Sequence, residues 1–294
     1  MKKLKDYLLL VKLSLSIMVV FSSVISYLLV PGIEFDVVRI LLLFIGGLLV
    51  TGSANTINQV VERDTDALMK RTAVRPIASG RMSPQEGWGF AILCGALGVF
   101  ILGYWFNWTA AFVALFSLFL YAFIYTPLKK VNSIAVLVGA VPGGLPCLIG
   151  WIAGFAPGEE ILWTGGIVLF LVQFFWQFPH FWAIAWIAHN DYSTAGFKLL
   201  PSDKGPTKFT ALQTIVYSLL LLPATVAPYF LNICEFETVK GMIGLVLVIL
   251  ANIFMVFRSV SLYQKMDIKS ARGVMFGSYI YLPVVLLALL LSKV

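Results

Sequence analysis

The sequence predicts an all-α, polytopic membrane protein, and three observations carry that reading. Sixty per cent of the 294 residues are apolar and only 12% are charged, with a mean hydropathy of +0.93. The apolar residues run in stretches long enough to cross about 30 Å of hydrocarbon. The basic residues collect at alternate ends of those stretches. A soluble exterior cannot be built from so few charges, so the apolar excess has to lie in lipid.

Nine segments have the required length: residues 7–30, 37–61, 87–105, 108–125, 133–153, 161–188, 209–231, 241–262 and 273–291. At this length in lipid, only helices satisfy their own backbone groups. The first segment follows a basic stretch and superficially resembles a signal peptide. It is long enough to span, however, and ends in Leu28-Leu29-Val30-Pro31-Gly32 without a small-x-small cleavage site, so it reads as the first transmembrane helix. With the N-terminus in the cytoplasm, eighteen of the 21 Lys and Arg fall on the inner side, and only Arg39, Lys240 and Lys293 fall outside. The net charge of +7 therefore reports topology, and nucleic-acid binding is not needed to explain it. Cys94 and Cys147 lie in apolar segments and Cys234 in a short loop, with no pair at metal-ligand spacing, as expected of buried structural thiols.

The outer loops are short, but two inner loops are long, at about 62–86 and 189–208. Long loops in a compact bundle usually carry function. They follow the second and sixth helices, four apart, which predicts two four-helix halves plus a ninth helix within a single membrane domain over residues 1–294.

The polar residues form two stripes leading into these loops. Asn58, Glu62 and Asp66 are spaced i, i+4, i+8, which sets them within about 80° on one helical face. Asn55 and Thr51 extend the stripe deeper, and Asp64 lies well round from it. Intramembrane carboxylates are expensive unless they face a site. Hard oxygen ligands of this kind suit Mg²⁺, which holds diphosphate through one or two carboxylates and several waters. Lys70, Arg71 and Arg75 follow at once and supply the counter-charge for a metal-bound diphosphate. The plainer alternatives are a solvated helix end and positive-inside anchors; the depth of Asn55 and Asn58 and the adjacency of acids and bases favour a site. On the sixth helix, Gln173, Gln177, His180 and Asp191 fall near one face, with Pro179 expected to bend the helix. His180 sits among Trp163, Trp176, Trp182 and Trp186. It is either a hydrogen-bonded interhelical histidine or a ligand or polar contact for an aromatic substrate.

The spacing of Asn58, Glu62 and Asp66 resembles the first Asp-rich motif of the UbiA superfamily of intramembrane prenyltransferases. The string Glu62-Arg-Asp-Thr-Asp-Ala-Leu-Met-Lys-Arg-Thr72 with Arg75-Pro76 is similar to the haem O synthase branch, the protohaem IX farnesyltransferases. So are Tyr125-Thr-Pro-Leu-Lys129, the stretch 139–151, Pro179-His-Phe-Trp-Ala183, Asp191-Tyr192, Ala195-Gly196 and Leu200-Pro201. The resemblance covers nearly the whole chain. Three positions depart from it. Glu62 stands where the family has Asp, which adds one methylene to the ligand arm. Asn190 replaces the first Asp of an Asp-Asp-Tyr string and removes an anionic ligand. Lys12-Leu13-Ser14 differs from the usual Lys-Pro-Arg.

The resemblance implies transfer of a farnesyl group from farnesyl diphosphate to the 2-vinyl group of haem B, giving haem O for haem-copper oxidases. It implies Mg²⁺ on Asn58, Glu62, Asp66 and Asp191, and Lys70, Arg71, Arg75, Lys129 and Lys198 on the diphosphate. Phe174, Phe175, Trp176, Phe181 and Trp182 would face the allylic cation, with Tyr125, Gln177 and His180 beside the substrates. The implied location is the cell inner membrane, with haem A synthase or oxidase assembly factors as partners. A UbiA-type enzyme with a quinone-precursor acceptor is the nearer rival, and the block from His180 onward argues against it. A haem-binding subunit without catalysis would not need the Asn-Glu-Asp stripe. In an ion-coupled transporter charged residues lie near the midplane, whereas here the acids cluster at the cytoplasmic ends.

Overall fold

A computed structural model describes residues 2–202 and 204–294, and every extended element among them is helical. The chain runs through α1 (Lys2–Leu10), α2 (Leu13–Leu28), α3 (Val37–Val61), α4 (Arg63–Leu68), α5 (Pro84–Trp105) and α6 (Trp108–Phe119). A π-helical segment (Leu120–Tyr125) leads into the single turn α7 (Thr126–Leu128). Then come α8 (Ala135–Ala153), α9 (Trp163–Ile187), α10 (His189–Thr194), α11 (Lys208–Phe230), α12 (Val239–Lys265) and α13 (Ile268–Leu291). Asp36, Ser83, Asn107, Thr207, Thr238 and Asp267 each cap the helix that follows by accepting from its first-turn N–H groups. Among the described residues, eight spans are long and apolar enough to cross a membrane; α1 and α2, bent by 47° at their junction, reach that length and apolarity only as a pair.

That bend is the main departure from the expected first span. It falls at Val11-Lys12, where Lys12 takes up left-handed backbone with φ 48° and ψ 57°. For an L residue this conformation costs about 1 kcal/mol. The larger cost would be the carbonyls freed by the break, because an unsatisfied carbonyl in lipid costs several kcal/mol. Two amides on α3 remove it. Gln59 Nε2 donates to Leu9 O and Leu10 O at 3.0 and 2.9 Å. Asn55 Nδ2 donates to Val11 O and Ser16 Oγ, both at 3.2 Å. Asn55, expected to extend the polar stripe into the site, is therefore spent on holding the broken helix.

Chain order is spatial order. Each span packs on the next from α2 through α3, α5, α6, α8, α9, α11, α12 and α13, and α13 closes the ring against α9 and α2. α2 also packs on α8, so these two helices run between the halves. One buried cluster joins Tyr27, Leu43, Leu102 and Ile152, and a second joins Trp151, Leu169, Val248, Tyr281 and Val285. Close contact of α2 and α8 depends on Gly150, since a Cβ there would collide with the carbonyl of Ser23. The outer surface is apolar, with Phe112, Phe230, Ile253 and Phe257 all exposed, as lipid contact requires. Cys94, Cys147 and Cys234 are buried and unpaired, as expected.

Candidate active site

One end of the bundle holds a cavity of about 220 Å³ lined by Asn58, Glu62 and Asp66 together with Lys12, Arg75 and Lys129. The three stripe residues do meet, although not on one regular helix. α3 stops at Val61, Glu62 leaves helical geometry (φ −92°, ψ 11°), and α4 restarts at Arg63. Asp64 points away, exposed and paired with Arg63 at 2.9 Å, as its helical position predicted.

Each oxygen donor in the cavity is held by a cation from a different element. Lys12 Nζ donates to Asn58 Oδ1 at 3.3 Å. Arg75 Nη1 donates to both Asp66 oxygens, at 2.8 and 2.7 Å, and the Asp66 side chain is 1% exposed. Burial pushes the Asp66 carboxyl above the ordinary carboxylate range, and the Arg75 guanidinium opposes the shift. Lys129 Nζ forms an ion pair with Glu62 Oε1, but the approach is not aligned as a hydrogen bond and leaves Oε1 buried without a hydrogen-bond partner.

The π-helical segment explains how Lys129 reaches the acids. Its wide turn brings Tyr121 and Tyr125 to the cavity wall and leads straight into Thr126-Pro127-Leu128. Thr126 Oγ1 donates to Tyr121 O at 2.8 Å and accepts from Asn58 Nδ2 at 3.3 Å, which joins this turn to α3. Lys129 Nζ then lies 4.8 Å from the Tyr125 ring centroid and 5.4 Å from that of Phe197. Gly139 makes room for the Tyr125 ring, because a Cβ there would lie 2.5 Å from it. The loop after α10 closes the mouth. Lys198 N donates to Lys129 O at 2.8 Å, and Arg71 Nη2 reaches the Tyr192 hydroxyl at 3.4 Å.

Other expected site residues lie elsewhere. Lys70 is exposed and outside the cavity lining, and Asp191, half-buried on α10, is also outside it. Two carboxylates and an amide therefore converge, and among the described residues no cluster of three or more His, Cys, Asp or Glu does. Lys198 lines a neighbouring cavity of about 400 Å³. Gln177 Nε2 is used by Ala140 O and Gln173 O, at 3.0 and 3.1 Å. Trp182 packs in a buried cluster with Phe178 and Tyr217. His180 Nδ1 shares a 2.8 Å hydrogen bond with Ser278 Oγ on α13 and stacks on Trp176, whose Nε1 donates to Ser278 O. Of the aromatic set on α9, Phe181 alone reaches the acidic cavity.

Sequence reasoning missed Lys12, Tyr121, Thr126, Tyr192 and Phe197 as site residues. Lys12 carried a usable signal: it is a charge several residues inside an apolar span, where charges mark function. Thr126 and Tyr192 fall within strings shared with the family, whereas Tyr121 and Phe197 carry no signal, because they reach the cavity through a helix irregularity and a loop closure.

Comparison with known proteins agrees with this picture. Residues 19–288 match the UbiA prenyltransferase family. A protoheme IX farnesyltransferase from Cytophaga hutchinsonii is 42% identical over 292 residues, covering 98% of this chain and 97% of that protein. One from Flavobacterium johnsoniae is 41% identical, covering 98% and 94%. Among solved structures, a digeranylgeranylglyceryl phosphate synthase superposes with a TM-score of 0.79 at 22% identity, covering 99% of each chain. A UbiA homologue from Archaeoglobus fulgidus bound to GPP and Mg²⁺ does so with a TM-score of 0.70 at 16% identity, over 97% of this chain and 99% of that one. By its near-full-length relatives and its helical architecture, the chain belongs to the UbiA prenyltransferase family.

Proposed function

We propose that this protein transfers the farnesyl group of farnesyl diphosphate to the 2-vinyl group of haem B, giving haem O. The observation that carries the reading is a buried acidic cavity ringed by cations at one end of an apolar bundle, in a chain about 40% identical to protoheme IX farnesyltransferases over nearly its whole length. Both substrates are largely apolar, which accounts for a site at the membrane. The basic residues cluster at the same end as the cavity, supporting nine spans, a cytoplasmic N-terminus and an inner-membrane location.

The donor set fits a divalent cation. Asn58, Glu62 and Asp66 offer hard oxygens, and buried Glu62 Oε1 has the Lys129 ammonium as its charged partner. Asp191 would join them only if α10 moved. A bound Mg²⁺ would neutralise the diphosphate and improve it as a leaving group. Lys12, Lys129 and Arg75, which now hold these oxygens, would turn toward the phosphate oxygens, with Arg71 at the mouth.

The remaining chemistry belongs to the chain and its substrates. The bond between the allylic carbon and oxygen breaks, and its electron pair leaves with the diphosphate. Tyr121, Tyr125 and Phe181 present ring faces that steady the allylic cation and exclude water. The vinyl π electrons form the new carbon–carbon bond. Water adds to the cation left on the vinyl group and loses a proton, giving the product hydroxyl. Purified protein incubated with haem B, farnesyl diphosphate and Mg²⁺ tests this by mass analysis of the porphyrin. The expected product is heavier by a farnesyl group and a hydroxyl in place of the vinyl unsaturation. Prenylation of a phenolic quinone precursor with unchanged haem B would overturn it.

A further inference from the structure

The cavity beside the acidic site has no role in the chemistry above, although it shares a wall with it. It is lined by His189, Ser193, Lys198 and Ser202, and its partition from the acidic cavity is formed by Tyr192, Phe197 and Leu199, which line both. Its polar side chains are a lysine, an imidazole, a phenol and two serine hydroxyls, with no carboxylate among its described lining residues. Such a set suits an anion.

The placement of Lys198 decides which anion. It does not line the cavity that holds Glu62 and Asp66, yet its backbone N–H is tied to Lys129 O at 2.8 Å. Phe197, its neighbour, covers the Lys129 ammonium from the other side. The loop therefore fixes the backbone of a second basic residue next to the diphosphate cations, with Tyr192, Phe197 and Leu199 between them. A substrate lying across that partition would meet the acidic cavity with its reacting edge and the basic cavity with an acidic substituent. Farnesyl diphosphate has its charge at the reacting end alone. A porphyrin acceptor has carboxylates remote from the vinyl group that reacts.

We propose that the cavity lined by His189, Ser193, Lys198 and Ser202 binds the propionate carboxylates of the acceptor and so sets which edge of the porphyrin faces the allylic carbon. This rests on the haem acceptor proposed above.

The test compares haem B with its propionate dimethyl ester as acceptors for the full-length protein in detergent. Wild type should prefer haem B by about ten-fold or more in kcat/KM, the scale of one charge-assisted hydrogen bond. In Lys198→Met that preference should fall toward one, because haem B loses its partner and the ester has none to lose. Lys198→Glu should reverse it. The KM for farnesyl diphosphate should stay at the wild-type value in both variants, which also shows that they are folded. His189→Gln, measured in the same way, should reduce the preference in part. If Lys198→Met keeps the wild-type preference, or raises the KM for farnesyl diphosphate instead, the carboxylate assignment is wrong and Lys198 serves the diphosphate. If wild type itself makes no farnesylated haem, the function proposed above fails, and this inference falls with it.

Discussion

Asp66 and Arg75 show how strongly the site is balanced without substrate. The Asp66 carboxylate is almost fully buried and takes both of its hydrogen bonds from Arg75. Asp66→Asn should retain an acceptor for Arg75 and hence most of the stability, while losing about a hundred-fold or more in turnover through the lost anionic ligand. Mass-based turnover and thermal unfolding in detergent separate the two effects, and near-normal product formation at saturating Mg²⁺ would remove Asp66 from the metal set. Arg75→Ala goes further, because it leaves a buried carboxylate unpaired. It should cost about 3 kcal/mol of stability and also raise the KM for farnesyl diphosphate more than that for haem. His180 makes the opposite case. Its partner is Ser278, and Trp176 bonds the backbone of the same residue. His180→Ala and Ser278→Ala should therefore couple in a double-mutant cycle by about 0.6–1 kcal/mol of stability. Additive effects together with a changed haem spectrum in His180→Ala would instead make this histidine a haem contact.

At the scale of elements, three irregularities build the site: the kink between α1 and α2, the break at Glu62, and the π-helical segment before α7. Each lets a side chain from an otherwise apolar helix turn into the cavity while the freed backbone groups find other partners. The kink is the most readily tested. Lys12 is in left-handed backbone and its ammonium is on Asn58. Lys12→Gly should remove about 1 kcal/mol of backbone strain, leaving the unfolding temperature unchanged or raised, yet reduce turnover about ten-fold because the amine is gone. A fall in unfolding temperature with normal turnover would mean that Lys12 holds the helix and contributes nothing to the site.

The whole molecule is a ring of spans with the acidic cavity at its basic end, which makes orientation a testable property. The three native cysteines are buried, so single introduced cysteines report cleanly. A membrane-impermeant maleimide should label Glu160→Cys in intact cells, and Lys70→Cys only after lysis, since both positions are exposed and lie at opposite ends of the bundle. The reverse pattern would put the site on the outer face. The two buried clusters do not follow the division into two four-helix halves plus a ninth helix that loop spacing predicts, because α2 and α8 contribute to both and α13 lies within the second.

The chain alone determined the fold class and the apolar spans, and it singled out Asn58, Glu62, Asp66 and Arg75, which the fold brings to one cavity. Apolar length and charge placement follow directly from the energetics of lipid, and acids in such a chain are too costly to be incidental. Helical spacing anticipated that Asn58, Glu62 and Asp66 meet, because four-residue steps survive even a break at Glu62. Asn55, Gln177 and His180 are hydrogen-bonded to neighbouring elements of the bundle. An amide or imidazole in a membrane must find a partner, and whether that partner is a substrate or the carbonyl of an adjacent helix depends on packing, which periodicity does not encode. Tertiary structure alone decided that Lys12 turns inward at a kink without proline or glycine, because the stabilising amides, Asn55 and Gln59, are more than forty residues away. It likewise separated Lys198 from the acids by interposing Tyr192, Phe197 and Leu199, a loop closure fixed by hydrogen bonds between elements far apart in the chain.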